Sequence, residues 1–372
     1  MGKGIKYCGL FMAGVLAGVM VMVSGTAPGY CGFPQVCISA YQNKDSEEQV
    51  ELYTRCLQED LSVANRAIAY NNRGLARKAL GDLSGAVADY EQALKISPDY
   101  IYAYYNRGNV REELGNLDGA IADYNKVIAM NPDYAKAYGN RGLTYYKKKD
   151  FETAVNDFNR AIAIDKDFAI AYNNRGLVHA DMEEFTKAIA DYNRALQINP
   201  DYAMAYNNRG FVSYRKGETT GAITDYNKAI SIDPEFAMAY VNRGLARKLN
   251  GDLTGAVADY SKAIEINPYD AEAYGNRAVI RKKQGDLDGA IADYSKVIEI
   301  NPEYAKAFLN RGTVKYEKGD FDGAIADYKM VLALHPAHAL AYNNLALAYD
   351  EKGMDDEAQE CRIRVQELTL GQ

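Results

Sequence analysis

From Ala67 onward the chain alternates two short apolar patterns separated by polar breaks. Residues 67 to 80 place apolar side chains at helical spacing, and Gly81-Asp82 interrupts them, with Asp82 positioned to cap a second helix. Residues 83 to 96 predict that second helix, with Ala86, Tyr90, Ala93 and Leu94 on one face. Ser97-Pro98 then reads as a helix entry, the serine capping and the proline taking the first helical position. Asn131-Pro132, Asn199-Pro200, Asp233-Pro234 and Asn267-Pro268 repeat that signal. Upstream, residues 46 to 66 carry Val50, Leu52, Tyr53, Cys56 and Leu57 at helical spacing and predict a capping helix over the first pair. The pattern is all-α.

The two-helix unit recurs. AYNNRG begins at Ala69, with near-copies at Ala103, Ala137, Ala171, Ala205, Ala239, Ala273, Ala307 and Ala341, each step 34 residues. Prolines keep the same period at Pro98, Pro132, Pro200, Pro234, Pro268, Pro302 and Pro336, with Lys166 breaking the series. Counted from Ala67, nine repeats run to Gln372. Tyr70, Gly74, Ala86, Tyr90, Ala93 and Pro98 stand where the tetratricopeptide repeat has its aromatic, glycine, alanine, aromatic, alanine and proline, so residues 67 to 372 resemble that family. The YxNRG variant is similar to that of exported bacterial members. The resemblance implies a right-handed superhelical α-solenoid. One departure is Arg73 and its equivalents, where the family usually has leucine before the helix-A glycine. In the ninth repeat Gln359, Glu360 and Arg362 replace apolar, alanine and tyrosine residues, as expected at a solenoid end, and the array is expected to be capped at both ends.

The first 27 residues differ in kind. Lys3 and Lys6 precede an uncharged stretch, residues 9 to 27, that fits either a secretory signal peptide cleaved near Gly25 or a retained membrane anchor. The expected organisation is a leader at 1–27, a linker and capping helix at 28–66, and the repeats at 67–372, with the chain exported, into a bacterial periplasm or other extracytoplasmic space. Of five cysteines, Cys8 lies in the leader, Cys31, Cys37 and Cys56 cluster after it, and Cys361 is alone. Outside the cytosol the cluster can form a disulfide; Cys37–Cys56 is favoured, because the Cys37 segment can lie across the helix holding Cys56, but the pairing stays open.

The formal charge is −7, and more negative without Lys3 and Lys6, which leaves no electrostatic footprint for a phosphate backbone and argues against nucleic acid as a partner. There are 31 tyrosines and no tryptophan; Tyr70, Tyr90 and their equivalents are expected to fill the core beside Gly74 and Ala86. Asparagine recurs in helix A at Asn72, Asn106, Asn140, Asn174, Asn208, Asn242, Asn276, Asn310 and Asn344. It is a poor helix-interior residue, so something else favours it. The family resemblance implies that this position faces a concave groove, where an amide can pair with a peptide's main chain. The alternative is that these amides bond the next helix and fix repeat spacing. Such a ladder, at about 0.5–1.5 kcal/mol per bond and opposed by the ordering of the peptide, would give micromolar affinity or weaker. Candidate pocket residues in repeats three to six are Tyr146, Ile170, Leu177, Met204, Phe211, Tyr214, Met238 and Leu245, flanked by charges of both signs at Lys78, Glu112, Glu113, Lys147, Lys248 and Lys282. The lysines of the family's carboxylate clamp are missing, with Tyr105 and Ile170 at two of its positions beside Asn109 and Asn140.

Arg73, Arg107, Arg141, Arg175, Arg209, Arg243, Arg277 and Arg311 are each followed 16 residues later by Asp89, Asp123, Asp157, Asp191, Asp225, Asp259, Asp293 and Asp327. Both vanish together in repeat nine, as Leu345 and Cys361, which predicts a structural salt bridge between paired helices. The three histidines, His179, His335 and His338, supply no third ligand for a metal, no catalytic triad is recognisable and no glycine-rich phosphate loop occurs. No cofactor is implied. The sequence therefore reads as a non-enzymatic interaction module that holds an extended peptide or protein segment; the alternative is a scaffold joining cell-envelope proteins through its convex face or edges.

Overall fold

The computed structural model describes residues 33–370, in which twenty α-helices and no strands occur. Two short helices, α1 (Gln35–Gln42) and α2 (Ser46–Cys56), precede nine helix pairs. The pairs are α3 (Val63–Ala79) with α4 (Leu83–Ile96), α5 (Ile101–Glu113) with α6 (Leu117–Met130), α7 (Ala135–Lys147) with α8 (Phe151–Ile164), and α9 (Ala169–Asp181) with α10 (Phe185–Ile198). They continue as α11 (Ala203–Arg215) with α12 (Thr219–Ile232), α13 (Ala237–Leu249) with α14 (Leu253–Ile266), and α15 (Ala271–Lys283) with α16 (Leu287–Ile300). The last are α17 (Ala305–Lys318) with α18 (Phe321–Leu334), and α19 (Ala339–Glu351) with α20 (Asp355–Leu370). The first helix of each pair is helix A and the second helix B. The described chain divides into two compact units, 33–200 and 201–370.

In seven of the nine pairs the A helix closes onto the B helix at a residue with no side chain, alanine standing there in the other two as Ala278 and Ala346. A Cβ on Gly74 would sit 2.7 Å from Tyr90 Cε1, closer than the buried ring allows without shifting. The A–B turn demands a second glycine: Gly81 has φ +81°, and its N–H bonds Lys78 O as α3 ends. Lys149 and Glu183 occupy the same left-handed position in repeats three and four, at φ 64° and 60°, which costs each about 1–2 kcal/mol. Asp82 then caps α4, its carboxylate accepting the Gly85 N–H at 2.9 Å.

The proline signal is built differently from the helix entry it predicts. Ser97 closes α4 as its C-cap, and α5 begins at Ile101 behind Tyr100, with Pro98 in the intervening turn. Asn131 shows the chemistry: its Oδ1 accepts the Asp133 N–H at 3.1 Å, and Asp233, Asn267 and Asn301 make the same local turn. These side chains therefore bend the chain two residues on, ahead of the next helix. Residues 46–66 also depart from one helix. α2 ends at Cys56, and α3 starts at Val63 with Ser62 accepting the Asn65 N–H. Residues 35–42, unpatterned in sequence, form α1, and a Cys37–Cys56 disulfide ties α1 to α2. The leader, with its cleavage or anchor alternatives, and Cys8 and Cys31 lie outside the described residues. No helix among the described residues is long and apolar enough to cross a membrane.

The arginine that stands where the family usually has leucine is the hub of the first eight repeats. Arg243 Nε and Nη2 donate to the two carboxylate oxygens of Asp259, at 3.0 and 2.6 Å, while Nη1 donates to Asn227 of the preceding B helix at 2.7 Å. Its guanidinium also covers the Tyr240 ring, 5.4 Å from the centroid. Arg73–Asp89 and Arg175–Asp191 have the same bidentate geometry, as do the other five pairs. One side chain thus joins its own helix pair and the pair before it. Tyr70 and Tyr240 are consequently half-buried beneath a guanidinium, whereas Tyr90 and Tyr260 fill the core.

Candidate functional site

The A helices carry every residue the sequence proposes for binding, and the structure divides those residues into two groups. Asn72, Asn106, Asn140, Asn208 and Asn242 are buried, Asn106 with 1% of its surface exposed. Their amides are engaged inside the fold. Asn72 Nδ2 donates to Tyr53 Oη of α2, Asn106 Nδ2 to Asn71 Oδ1 of the previous A helix at 2.9 Å, and Asn242 Nδ2 to Asn207 Oδ1 at 2.9 Å. Asn140 Nδ2 reaches both Tyr105 Oη at 3.1 Å and Asn109 Oδ1 at 2.7 Å, and Asn208 accepts from Asn207. These five positions do not line an open groove. Four of the amides donate to a polar partner on an adjoining A helix or on α2, and satisfying a buried amide there avoids a desolvation penalty of about 1–3 kcal/mol. Asn174, Asn276, Asn310 and Asn344 are only half-buried; Asn174 accepts from Asn173, and Asn310 shares a hydrogen bond with Tyr294.

The apolar candidates divide in the same way. Leu177 and Phe211 are core residues, 2% and 3% exposed, and are withdrawn from the surface expected for them. Within 33–200, Tyr146 and Ile170 pack as partly buried members of the core around Phe158 and Phe168. Within 201–370, Met204, Tyr214, Met238 and Leu245 are half-buried. The most open apolar side chains on A helices there are ones outside the candidate set: Val279, Leu340 and Leu347, which lie beyond repeat six, and Leu249 at the end of α13, the most exposed at 62%. Leu249 carries a signal in the sequence, since the same repeat position is held by Glu113, Lys147, Asp181, Glu317 and Glu351. Val279 and Leu347 share the repeat position of the candidates Leu177 and Phe211, which are core, so the position alone does not say which copy is open.

Among the described residues, five of the six charged flanks are paired along this face, and Lys248 is not. Lys78 of α3 pairs with Glu113 of α5 at 3.4 Å, and Glu112 of α5, itself buried, pairs with Lys147 of α7. Tyr146 Oη donates to Asp181 at 2.6 Å, Lys282 pairs with Glu317 at 2.7 Å, and Tyr316 Oη donates to Glu351 at 3.3 Å. In every case the partner lies 35 residues further on, so each of these rungs crosses from one A helix to the next. Beneath these rungs in repeats two and three, Tyr124 Oη donates to Asn109 at 2.9 Å. Burial holds the Tyr124 and Tyr105 hydroxyls well above the usual phenol range, so both remain neutral, Tyr124 donating to Asn109 and Tyr105 accepting from Asn140.

The histidines take local roles. His338 Nδ1 accepts the Ala341 N–H at 3.1 Å as the cap of α19, His335 ends α18, and His179 lies 2.6 Å from Glu184. No group of three or more potential metal ligands occurs among the described residues.

A TPR repeat model matches residues 74–115, 112–149, 142–183, 212–251, 247–285, 279–319 and 312–353, and tetratricopeptide repeat models match 169–202 and 339–368. No curated protein is significantly similar to the chain. Among solved structures, a tetratricopeptide repeat protein from Parabacteroides merdae is 20% identical over 66% of this chain and 97% of its own, with a TM-score of 0.56. Pseudomonas aeruginosa pilF is 21% identical over 59% and 96%, with a TM-score of 0.50. A MamA protein is 32% identical over 46% and 94%, with a TM-score of 0.39. The first two likenesses establish shared fold alone, and the third superposes too loosely to carry an argument. With the repeat models spanning most of the chain and consecutive helix pairs packed as repeats within each unit, the protein belongs to the tetratricopeptide-repeat family, whose arrays serve protein–protein interaction.

Proposed function

We propose that this chain is a non-enzymatic module that holds an extended protein or peptide segment on its A-helix face. The observation that carries the reading is the row of apolar side chains left open there, Leu249 at 62%, Val279 at 41%, Leu340 at 54% and Leu347 at 49%, on helices whose buried amides and most of whose charges are internally paired. Side-chain pockets, rather than an asparagine ladder, set the affinity in this reading; the half-exposed Asn174, Asn276, Asn310 and Asn344 are the amides still able to contact a main chain. The Cys37–Cys56 disulfide supports placement in an oxidising, extracytoplasmic compartment, to which residues 1–27 would direct the chain.

A photoreactive residue introduced in cells at Leu249, on an A helix, or at Lys228, on the exposed side of a B helix, tests this directly. Capture of a defined protein from position 249 and none from 228 is expected. Capture from 228 alone would replace groove binding with the scaffold reading, in which the outer surface joins envelope proteins.

A further inference from the structure

The rungs along the A-helix face can be compared at seven repeat junctions, three within 33–200 and four within 201–370. Five are closed by complementary groups: Lys78–Glu113, Glu112–Lys147, Tyr146–Asp181, Lys282–Glu317 and Tyr316–Glu351. The remaining two are consecutive. Where α11 meets α13 the equivalent residues are Tyr214 and Leu249, which cannot pair. Where α13 meets α15 they are Lys248 and Lys283, two like charges at a position that elsewhere joins opposite ones. Among the described residues neither lysine has a carboxylate within salt-bridge distance, and the neighbouring Lys282 is committed to Glu317.

Like charges set opposite each other destabilise a pairing that opposite charges would favour. Acidic residues are not scarce in this chain, which carries 50 of them against 43 lysines and arginines. An uncompensated lysine pair therefore marks a place where the compensating charge comes from outside. The apolar surroundings agree. Leu245, Lys248 and Leu249 share one face of α13 at i, i+3 and i+4, and Val279, 41% exposed, lies on the adjoining α15. At the closed rungs the position of Leu249 is held by the charged partner itself, so an open leucine there is particular to this junction.

We propose that this bay, rimmed by Lys248 and Lys283 and floored by Tyr214, Leu245, Leu249 and Val279, docks the part of the partner segment in which carboxylates flank an apolar side chain. The proposal rests on the A-helix binding reading and names the chemistry of its ligand. The two ammonium groups meet the carboxylates that the missing rungs omit, and the apolar side chain covers Leu249 and Val279. The chain's net charge of −7 disfavours an acidic segment over the rest of the surface, so the bay also selects where such a segment binds.

The test uses the purified full chain and three fluorescein-labelled decapeptides in which leucine alternates with glutamate, with glutamine or with lysine, followed by fluorescence anisotropy. The glutamate peptide is expected to bind about tenfold more tightly than the glutamine peptide. The double variant K248E/K283E should lose that preference and favour the lysine peptide, while K228E on a B helix should leave it unchanged. All three positions are at or near the surface, and amide exchange of α13 and α15 in the variant confirms that the helices persist. Equal binding of the glutamate and glutamine peptides, or a preference that survives K248E/K283E, overturns the bay while leaving A-helix binding intact. Failure of all three peptides to bind the unaltered chain overturns both.

Discussion

The arginine–aspartate hub makes a prediction that separates two neighbouring repeats. Asp123 accepts from Arg107 at 3.0 and 2.7 Å and also from Arg111 at 2.9 Å. Asp157 accepts from Arg141 at 2.7 and 2.6 Å, but the residue equivalent to Arg111 is Tyr145, which leaves Arg141 as its single cation. Both aspartates are nearly inaccessible, with side chains 3% and 7% exposed. Replacing either arginine with methionine keeps most of the stem and removes the same cation–π contact, to Tyr104 or Tyr138. The difference is what happens to the carboxylate. In R107M it keeps Arg111, and the loss is that of hydrogen bonds to a charged group, about 1.5 kcal/mol at the low end because one cation remains bonded. In R141M a buried carboxylate is orphaned, for which about 3–5 kcal/mol is usual; the slight exposure of Asp157 favours the lower end, about 3 kcal/mol. The gap of about 1.5 kcal/mol corresponds to roughly tenfold in a local opening constant. Because repeat arrays open segment by segment, amide hydrogen exchange of α7 and α8 against α5 and α6 is a better readout than a single melting midpoint. Protection in R141M should fall about tenfold further than in R107M. Equal losses, or a larger loss in R107M, would show that the second cation does not matter and that the hub is held by packing.

The tyrosines give two further expected outcomes. Tyr260 Oη is buried with no hydrogen-bond partner, whereas Tyr124 Oη donates to Asn109 at 2.9 Å, so Y260F should be neutral or stabilising by up to about 1 kcal/mol and Y124F destabilising by about 1 kcal/mol, measured by urea unfolding; a larger loss for Y260F would contradict the geometry. Burial pushes Tyr134 and Tyr294 up from 10.0 to about 12, so between those values the unfolded chain releases protons that the folded chain retains. Their contribution to stability is complete below about pH 10 and is lost as pH rises toward about 12. Urea midpoints should fall over that window together with a cooperative rise in phenolate absorbance, and independent titration of these two groups near the ordinary phenol value in an intact fold would refute it.

How much of this was legible in the chain differs by interaction type. The Arg/Asp hub can be read because both members recur at a fixed interval and disappear together, which is a signature of partnership that needs no coordinates. Cys37–Cys56 can be favoured but not decided, since α1 carries no pattern of its own and acquires its position only by packing on α2. The asparagine register is visible; its direction is not. Asn106 and Asn174 look alike in sequence, and only the available partner, Asn71 for one and Asn173 for the other, together with the rotation of the helix, decides which amide is covered. The proline turns differ from the expected helix entries because Ser97 and Asn131 have the composition of a helix cap, while the true helix start is set about four residues later by the way α5 and α7 dock.

By itself the sequence determined the period, the identity of the helices, the close A–B approach at Gly74 and the charge pairing, because each depends on contacts within one repeat that recur at a constant spacing. Tertiary structure decided which side chains remain available: that Leu177 and Phe211 are core while their equivalent Val279 is open, and that the rungs close at five junctions and not at Lys248 and Lys283. Availability is a property of what the adjacent repeat presents. It is fixed by the packing of one helix pair on the next, and no residue's own letter carries that information.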